Sequence, residues 1–354
     1  MNVLNFTLDL ENQLDKLDVS LAWMKHIVEF IEQWQDESDS ITISTSGTTG
    51  VPKVYTVKKE WMRFSARNTL SFFNLKPEDK VLLALSAEFI GGKMMLVRAI
   101  EGGLKLWLCP PNDLSILNQD MHFNFCPLVP LQAEKYIHQL HKIERILLGG
   151  GPVSKHLEKR LIDLPSQFYQ SFAMTETLSH FAIRNISKKE SEFQVFSNIQ
   201  IGVNENNCLW LKATQLGQPF LQTNDVIELL PDQRFIWKGR FDFIINSGGI
   251  KYNPEILEEG CGFLLKLNIP FFISSQQDSK FGERIVLVIE ESSFKIHDAF
   301  TIRRQDFNLV TYAIPKKWIL VKRIPRTEVS NKIKRLAREE LFHADNVLHE
   351  EWIH

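Results

Sequence analysis

Apolar residues recur at regular spacing along most of this chain. Between residues 21 and 34 they fall on one face of a helix, at Leu21, Met24, Val28, Ile31 and Trp34. Farther on, short apolar runs alternate with helix-like segments. The predicted strands lie within 81–85, 104–109 and 146–152, the last of which ends in a glycine turn. The predicted helices cover 56–73 and 154–164. This alternation predicts an α/β fold with largely parallel strands, in which ligands bind at the carboxyl ends of strands.

The composition of the chain changes near residue 240. Beyond this point the pattern predicts a small α+β unit, with a helix near 254–267, strands near 269–274 and 285–289, and a final basic helix. We therefore predict two domains, residues 1–239 and 240–354, with the boundary at the Arg240–Asp242 turn.

Composition and charge exclude several classes of protein. The 354 residues are 44% hydrophobic and 24% charged, with a net charge of −2, so no basic surface for nucleic acid or an anionic membrane is expected. No apolar run approaches the ~20 residues of a membrane span, and the N-terminus lacks the pattern of a signal peptide. We expect a cytoplasmic protein without membrane insertion, whose four unclustered cysteines pack in the core: Cys109, Cys126, Cys208 and Cys261.

The most unusual stretch is I-S-T-S-G-T-T-G-V-P-K, from Ile43 to Lys53. Glycine permits a close approach of the backbone to a ligand, hydroxyl and amide groups donate to phosphate oxygens, and lysine adds a charge. The stretch lacks the order of a Walker loop, and no G-x-G-x-x-G is present. A phosphate-binding loop is the favoured interpretation, and a Ser/Thr/Gly-rich linker is the alternative.

The order S-G-T-T-G-x-P-K resembles the signature loop of the adenylate-forming (AMP-binding) superfamily, which includes acyl-CoA synthetases. That resemblance implies a large N-terminal domain with mostly parallel sheets and a small mobile α+β C-terminal domain. Only about forty residues precede the loop, so we expect a shortened N-terminal lobe. The resemblance also implies that Lys53 steadies the loop and that the phosphates of ATP contact Thr45, Ser46, Gly47, Thr48 and Thr49.

A second motif, F-A-M-T-E-T at 172–177, resembles the Y-G-M-T-E-T of the same superfamily. The match implies that Phe172 stacks on adenine and that Thr175 contacts the α-phosphate. It also implies that Glu176 is the Mg²⁺ carboxylate, which is a hard oxygen ligand of the right kind. Ala173, which replaces a glycine, and Met174 complete the nucleotide-binding segment. Taken alone, T-E-T would be an ordinary turn.

Three further segments match the nucleotide site in the order expected. The G-G-G-P turn resembles the adenine-side loop and contributes Gly150, Gly151 and Pro152; a plain strand-to-helix turn is the alternative. In Q-T-N-D, Asp225 matches the carboxylate that binds both ribose hydroxyls. In G-R-F-D-F, Arg240 would contact the ribose.

The same G-R-F-D-F segment resembles the hinge motif of the superfamily. Asp242 would be the hinge residue, although a capping or turn role remains open. Phe243 stands where the family has a second aspartate. Gly248 and Gly249 would lie beside the path of the thiol after the small domain rotates.

The basic run near the C-terminus resembles the family segment that carries the catalytic lysine. The match makes Lys332 the lysine of the adenylation step, with Lys334 as the alternative because the register contains one extra residue. A solvated basic helix is the other interpretation.

Over nearly the whole chain, the resemblance is greatest to short o-succinylbenzoate–CoA ligases of menaquinone biosynthesis. It rests on L-L-G-G-G-P, on M-T-E-T-L-S-H and on E-F-I-G-G-K-M-M-L-V-R. In the last run, Phe89 replaces a histidine of the family's H-x-x-G and Gly92 is its glycine. Arg98 falls where the family has a cation near the second carboxylate of the substrate, with Lys93 as a second candidate. An exposed helix arginine is the alternative.

The resemblance implies a two-step ligase that uses ATP, Mg²⁺ and coenzyme A. A small-molecule carboxylic acid would form an acyl-adenylate, and the small domain would then turn so that the thiol of coenzyme A can attack. Two alternatives remain: an enzyme that loads another aryl acid onto coenzyme A or a carrier protein, and a catalytically silent nucleotide-binding homologue. The oligomeric state is not indicated by the sequence.

Overall fold

The protein was analysed as a computed structural model that describes residues 2–44, 54–111, 113–267, 269–291, 301–326, 333–335 and 337–354. Its α-helices are, in chain order, α1 (Glu11–Leu14), α2 (Ala22–Gln35), α3 (Lys59–Phe72), α4 (Ile90–Gly102), α5 (Pro130–Lys135), α6 (Lys155–Ile162), α7 (Pro254–Glu259), α8 (Gly262–Lys266) and α9 (Arg338–Leu341). Within these ranges no helix is long and apolar enough to cross a membrane.

The strands of the first part of the chain are β1 (Val3–Asn5), β2 (Ser40–Ser44), β3 (Val54–Lys58), β4 (Lys80–Leu83), β5 (Lys105–Leu108), β6 (Phe123–Leu128), β7 (Ile143–Leu148), β8 (Gln167–Ala173), β9 (His180–Asn185), β10 (Phe193–Val195), β11 (Gln200–Val203), β12 (Cys208–Ala213), β13 (Gln218–Leu230) and β14 (Arg234–Arg240). The later strands are β15 (Ile245–Ser247), β16 (Ile250–Tyr252), β17 (Phe271–Asp278), β18 (Gly282–Glu290), β19 (Lys317–Val321) and β20 (Val347–Trp352).

Twelve strands form one large mixed sheet in the order β1-β5-β4-β6-β7-β8-β9-β10-β14-β13-β12-β11. The pairings from β5 to β8 are parallel, and those beyond β8 are antiparallel. The predicted α/β class is confirmed, with the parallel strands confined to one half of the sheet. Because β8 is the last parallel strand, the segment after it lies where the two halves meet.

Helices cover both faces of the parallel half. Alternate residues show this, because Val81 and Leu83 of β4 share a core with Met94 of α4, whereas Leu82 and Ala84, the residue that follows the strand, share another core with Leu157 of α6. An uninterrupted apolar strand is the pattern expected when both faces are buried.

Helix α4 is buried on all sides over its central turns. Six consecutive residues, from Met94 to Ala99, are buried, and Arg98 is the one charged residue among them. The helix is capped at its C-terminal end by Gly103, which adopts a left-handed conformation with φ of +57°. A charge in such a helix is expected only where it has partners, and these partners are described below.

A second sheet is built from the later strands, in the order β16-β15-β18-β19-β20, with β17 paired to β18. Its core combines apolar residues of these strands with α7 and α8. The predicted helix near 254–267 corresponds to α7 and α8, and the two predicted strands correspond to β17 and β18.

Two local predictions are wrong. The segment predicted as a helix from residue 56 begins as strand β3. This strand pairs with β2, and the two strands precede and follow residues 45–53 in the chain. The predicted final basic helix is not formed in the described residues 333–335, because Ile333 instead forms a bridge with Arg326 and the next helix is the short α9.

Candidate active site

The carboxyl ends of β7 and β8 lie side by side and bring two of the predicted motifs together. The Ser171 hydroxyl donates to the Leu148 carbonyl oxygen at 3.0 Å. A Cβ on Gly149 would stand 2.6 Å from the Ser171 Oγ, and Gly150 has a φ of +77°, so this turn requires glycine. The G-G-G-P turn therefore lies against the strand that carries F-A-M-T-E-T.

The T-E-T segment forms a single 3-10 turn, Thr175–Thr177. Thr177 is buried, and its hydroxyl lies 3.1 Å from the Met174 carbonyl oxygen and 2.7 Å from that of Ser179. Leu178 follows with a φ of +62°, which is unusual for a residue with a branched side chain. The turn is thus fixed from within, while Thr175 is half-buried and Glu176 is exposed.

The Glu176 carboxylate fits a role as a magnesium ligand. Within the described residues it forms no ion pair or hydrogen bond, and no group of three or more His, Cys, Asp or Glu residues is arranged to hold a metal. Mg²⁺ in nucleotide sites is commonly held by one or two carboxylates, water and the phosphates themselves. A lone, accessible carboxylate beside the nucleotide motifs meets that requirement.

Phe172 is held by an aromatic cluster. Its ring centroid lies 5.6 Å from that of Phe181, 5.3 Å from that of Phe193 and 5.1 Å from that of Phe235, all in edge-to-face arrangements. Its side chain is only partly buried, so a portion remains accessible at the strand end. Met174 packs against the same cluster, whereas Ala173 is exposed.

Arg98 is buried beside the T-E-T turn, with 3% of its surface exposed. Its Nε donates to the Thr69 hydroxyl at 3.1 Å, and its Nη2 donates to the Ser179 hydroxyl at 2.7 Å. Within the described residues no carboxylate forms an ion pair with Arg98. The alternative of an exposed helix arginine is therefore wrong, and burial lowers the pKa of Arg98 to about 9.

His180 completes the surroundings of Arg98. Its Nε2 lies 3.1 Å from the Thr69 hydroxyl oxygen and its Nδ1 lies 3.2 Å from that of Ser179. Burial, and then the neighbouring Arg98 charge, hold the pKa of His180 well below its usual 6.5. The imidazole is therefore neutral near pH 7.

The other predicted substrate residues lie at the start of α4. Gly92 packs so closely on the preceding loop that a Cβ would overlap the backbone oxygen of Ser86. Phe89 is the partly buried N-cap residue of the helix. Lys93 donates from Nζ to the Glu88 carbonyl oxygen at 3.3 Å, and partial burial lowers its pKa. Lys93 is thus half-buried near the start of the helix, whereas Arg98 is enclosed about one and a half turns farther along.

Asp225 and Arg240 pair across β13 and β14, as their predicted roles at one ribose require. The Trp237 indole donates to one Asp225 oxygen at 3.0 Å, and the other oxygen lies 3.9 Å from the Arg240 Nη1. Burial raises the pKa of Asp225, against the effects of Trp237 and Arg240. Arg240 also donates two hydrogen bonds to Asp242, at 2.9 and 2.7 Å, which raise its pKa.

The segment after Arg240 links the two sheets. Phe241–Phe243 forms a 3-10 turn, and the Phe243 ring lies 5.3 Å from the Arg240 guanidinium and 5.9 Å from that of Arg335. Gly248 and Gly249 form the tight turn between β15 and β16, with φ values of +62° and +80°.

Two groups of predicted site residues lie outside the described residues. They are the phosphate loop, with Thr45, Ser46, Gly47, Thr48, Thr49 and Lys53, and the lysine Lys332. Lys334 is described, and its backbone amide donates to the Pro325 carbonyl oxygen at 2.8 Å.

The partners of Arg98 were not predicted from the sequence. Thr69 belongs to the buried face of α3, where Ser65 and Thr69 alternate with apolar residues. Two polar residues one turn apart on a buried helix face were the available signal. Ser179 and His180 were visible directly after T-E-T-L but had no assigned role.

Comparisons with known proteins identify the family of the chain. The profile of the AMP-binding enzyme family matches residues 6–203, which is more than half of the chain. The 2-succinylbenzoate–CoA ligase of Listeria monocytogenes is 25% identical over 339 aligned positions, which cover 87% of this chain and 71% of the relative.

Two solved structures are similar over most of the chain. The acyl-CoA synthetase (AMP-forming)/AMP-acid ligase II-like protein of Dyadobacter fermentans is 28% identical with a TM-score of 0.62, and the match covers 93% of this chain and 97% of the other. The o-succinylbenzoate CoA synthetase of Bacillus subtilis, solved with the acyl-adenylate intermediate, is 21% identical with a TM-score of 0.73, covering 87% and 70%. With its motifs, fold and profile in agreement, the chain belongs to the AMP-binding enzyme family.

Proposed function

We propose that this protein is an ATP-dependent acid–CoA ligase that converts o-succinylbenzoate to o-succinylbenzoyl-CoA. The general class follows from the family, and the acid follows from the buried Arg98 together with the name of the Listeria relative. The cosubstrates are ATP, with Mg²⁺, and coenzyme A.

The observation that carries the choice of acid is the environment of Arg98. A buried guanidinium that meets only neutral hydroxyl groups has lost its hydration without gaining an anion, which costs several kcal/mol. Within the described residues, its Nη1 group forms no hydrogen bond. An anionic group of the ligand would supply the missing partner.

A dicarboxylic acid can both react with ATP and provide an anionic partner for Arg98. One carboxylate must reach the α-phosphate of ATP, and the other can accept paired hydrogen bonds from a guanidinium. The Ser179 hydroxyl that contacts Arg98 is two residues beyond the buried Thr177 of the T-E-T turn. The proposed carboxylate site therefore lies next to the segment that is proposed to bind the α-phosphate and the metal.

The reaction proceeds in two steps that balance. An oxygen of the substrate carboxylate attacks the α-phosphorus, and the bond to pyrophosphate breaks. The thiolate sulfur of coenzyme A then attacks the carbonyl carbon of the acyl-adenylate, and AMP leaves. Positioning and charge neutralisation are the main contributions of the protein to such transfers.

Each proposed role has a residue suited to it. Thr175 contacts the α-phosphate, Glu176 binds Mg²⁺, Asp225 accepts hydrogen bonds from the ribose hydroxyls, and Lys332 supplies a cation during adenylation. The pyrophosphate side belongs to the loop with Thr45, Ser46, Gly47, Thr48, Thr49 and Lys53.

We further propose that residues 1–239 and 240–354 act as two domains that reorient about Asp242 between the steps. The strands up to Arg240 and the strands from Ile245 onward belong to separate sheets, which supports this division. Four free, buried cysteines support a cytoplasmic location.

The test measures AMP release with ATP, coenzyme A and three acids. These are o-succinylbenzoate and the two analogues that each lack one of its carboxylates. The wild-type protein is expected to prefer o-succinylbenzoate. In Arg98→Met, kcat/KM for the dicarboxylate should fall by about 100-fold, and the preference over the better analogue should be lost. Arg67→Met, which alters an exposed arginine, is the matched control.

Three outcomes would overturn the proposal. They are absence of AMP release with o-succinylbenzoate, equal use of a monocarboxylic analogue by the wild-type protein, and an unchanged preference in Arg98→Met. Release of AMP with another aryl acid and a carrier protein would instead identify a different adenylating enzyme.

A further inference from the structure

We propose that His180 is a positioning residue that fixes the orientation of Arg98 for the second carboxylate of the substrate. This inference rests on the proposed function. It concerns a histidine that contacts neither ATP nor the reacting carboxylate in that scheme, and that acts through the hydroxyl groups of Thr69 and Ser179.

The four side chains form a closed ring of hydrogen bonds. Arg98 contacts the hydroxyl groups of Thr69 and Ser179, at 3.1 and 2.7 Å. His180 contacts the same two hydroxyl groups from the other side, at 3.1 and 3.2 Å. Thr69 lies on α3, Arg98 on α4, His180 at the start of β9 and Ser179 directly before it, so the ring joins three elements at one point.

The protons of the ring can be assigned from donors and acceptors. Arg98 only donates, so both hydroxyl oxygens accept from it. The Ser179 hydroxyl then donates to the His180 Nδ1. The His180 Nε2–H donates to the Thr69 oxygen, and the Thr69 hydroxyl donates to the Ser65 carbonyl oxygen at 3.2 Å.

The other tautomer of His180 leaves one hydroxyl proton of the ring without an acceptor. If His180 carried its proton on Nδ1, the Ser179 oxygen would accept two hydrogen bonds, and its own proton would have no acceptor among the described residues. The assignment with the proton on Nε2 gives a partner to both hydroxyl groups and to both imidazole nitrogens. It requires a neutral imidazole, in agreement with the lowered pKa of His180.

The ring leaves part of the guanidinium for a ligand. Nε and one Nη2 proton point to the two hydroxyl groups, and Nη1 forms no hydrogen bond in the described part of the chain. With one edge held by two hydroxyls, the guanidinium plane is fixed before substrate arrives. Preorganisation of this kind strengthens binding because less rotamer freedom is lost on association.

A purely structural role for His180 predicts a different behaviour. If the ring only joined α3 to α4, its loss would lower stability and affect all acids alike. A positioning role predicts a selective loss for the acid that uses Arg98. The preference between o-succinylbenzoate and its better monocarboxylic analogue separates the two.

The experiment compares steady-state kinetics of His180→Leu and His180→Gln with the wild-type protein. Leucine removes both ring contacts, whereas the glutamine amide retains one donor and one acceptor. We expect His180→Leu to raise KM for o-succinylbenzoate about tenfold, with a much smaller change in kcat and in KM for the analogue. His180→Gln should restore most of the preference. His26→Leu alters a partly buried histidine outside the ring and is the matched control.

Thr69→Val provides a second test from another helix, because it keeps the shape of the side chain and removes only the hydroxyl group. It should reproduce the selective rise in KM even where His180→Leu folds poorly. An equal effect on both acids in His180→Leu and Thr69→Val, or failure of glutamine to restore the preference, would overturn the inference.

The outcomes separate this inference from the proposed function. A wild-type protein that shows no preference for the dicarboxylate overturns both. A wild-type preference that disappears in Arg98→Met but persists in His180→Leu and Thr69→Val overturns only the role of His180.

Discussion

Glu255 is a half-buried carboxylate whose protonation should control the stability of the smaller part of the protein. Its Oε2 is buried and has no hydrogen-bond partner in the described structure. Its Oε1 lies 3.7 Å from the Arg335 Nε, while Arg335 is engaged by Glu258 through two hydrogen bonds at 2.6 and 2.7 Å. Burial raises the pKa of Glu255 to about 7, against the opposing effect of Arg335.

The magnitude of the expected effect follows from that pKa. The difference between 7 and the ordinary 4.5, at about 1.36 kcal/mol for each pKa unit, corresponds to about 3 kcal/mol of unfolding free energy. Because the folded state keeps a proton that the unfolded state releases, stability is greatest below pH 4.5 and falls as pH rises through 7. Between pH 5 and pH 8 this one group should lower the unfolding free energy by about 2.5 kcal/mol.

The perturbation is Glu255→Gln, which keeps the shape and removes the titration. We expect the variant and the wild-type protein to be similar at pH 5, and the variant to be more stable by about 2.5 kcal/mol at pH 8. Urea unfolding followed by tryptophan fluorescence at several pH values measures the difference. Glu259→Gln, on the exposed side of the same helix, is the control. Equal pH dependence of Glu255→Gln and the wild-type protein would refute the reasoning.

Three other substitutions test the proposed site. Asp225→Asn should raise KM for ATP by at least about tenfold, because the ribose loses its anionic acceptor; unchanged nucleotide kinetics would remove Asp225 from the site. Gly92→Ala should lower the unfolding free energy by about 1–3 kcal/mol, because the added Cβ would overlap backbone atoms of the preceding loop. In the control Gly91→Ala the Cβ meets only a leucine methyl group at 3.3 Å, and calorimetry compares the unfolding of the two variants. Lys332→Ala should abolish pyrophosphate exchange but still convert supplied acyl-adenylate to thioester; survival of both half-reactions would transfer the role to Lys334.

Local sequence patterns predicted much of the fold. The strands β4, β5 and β7 correspond to apolar runs, and the glycine turn after β7 lies beside β8, the strand that leads into the T-E-T turn, as the rule for parallel sheets requires. Such features depend on neighbouring residues in the chain, so a single sequence contains enough information for them.

The environment of Arg98 could not be predicted in the same way. Its contacts with Thr69 and Ser179 join residues separated by 29 and 81 positions in the chain. Neither hydroxyl carries a charge or belongs to a spaced motif, so only the packing of α3 against α4 reveals them. The antiparallel half of the large sheet was likewise hidden, because pairing direction depends on the connections rather than on the apolar pattern.

Phe243, at the position where the resemblance to the hinge motif implies a second aspartate, has a consequence for how the proposed hinge moves. Its ring contacts guanidinium groups on both sides of the junction, those of Arg240 and Arg335. A cation–π contact of this kind is worth about 0.5–1 kcal/mol at an exposed site, and separating it leaves no unpaired anion. An aspartate in its place would add an ion pair that weakens with salt. The contribution of Phe243 to reorientation about this junction should therefore be nearly independent of ionic strength, so a change in the rate of the second half-reaction between dilute buffer and physiological salt should come from the Arg240–Asp242 ion pair instead.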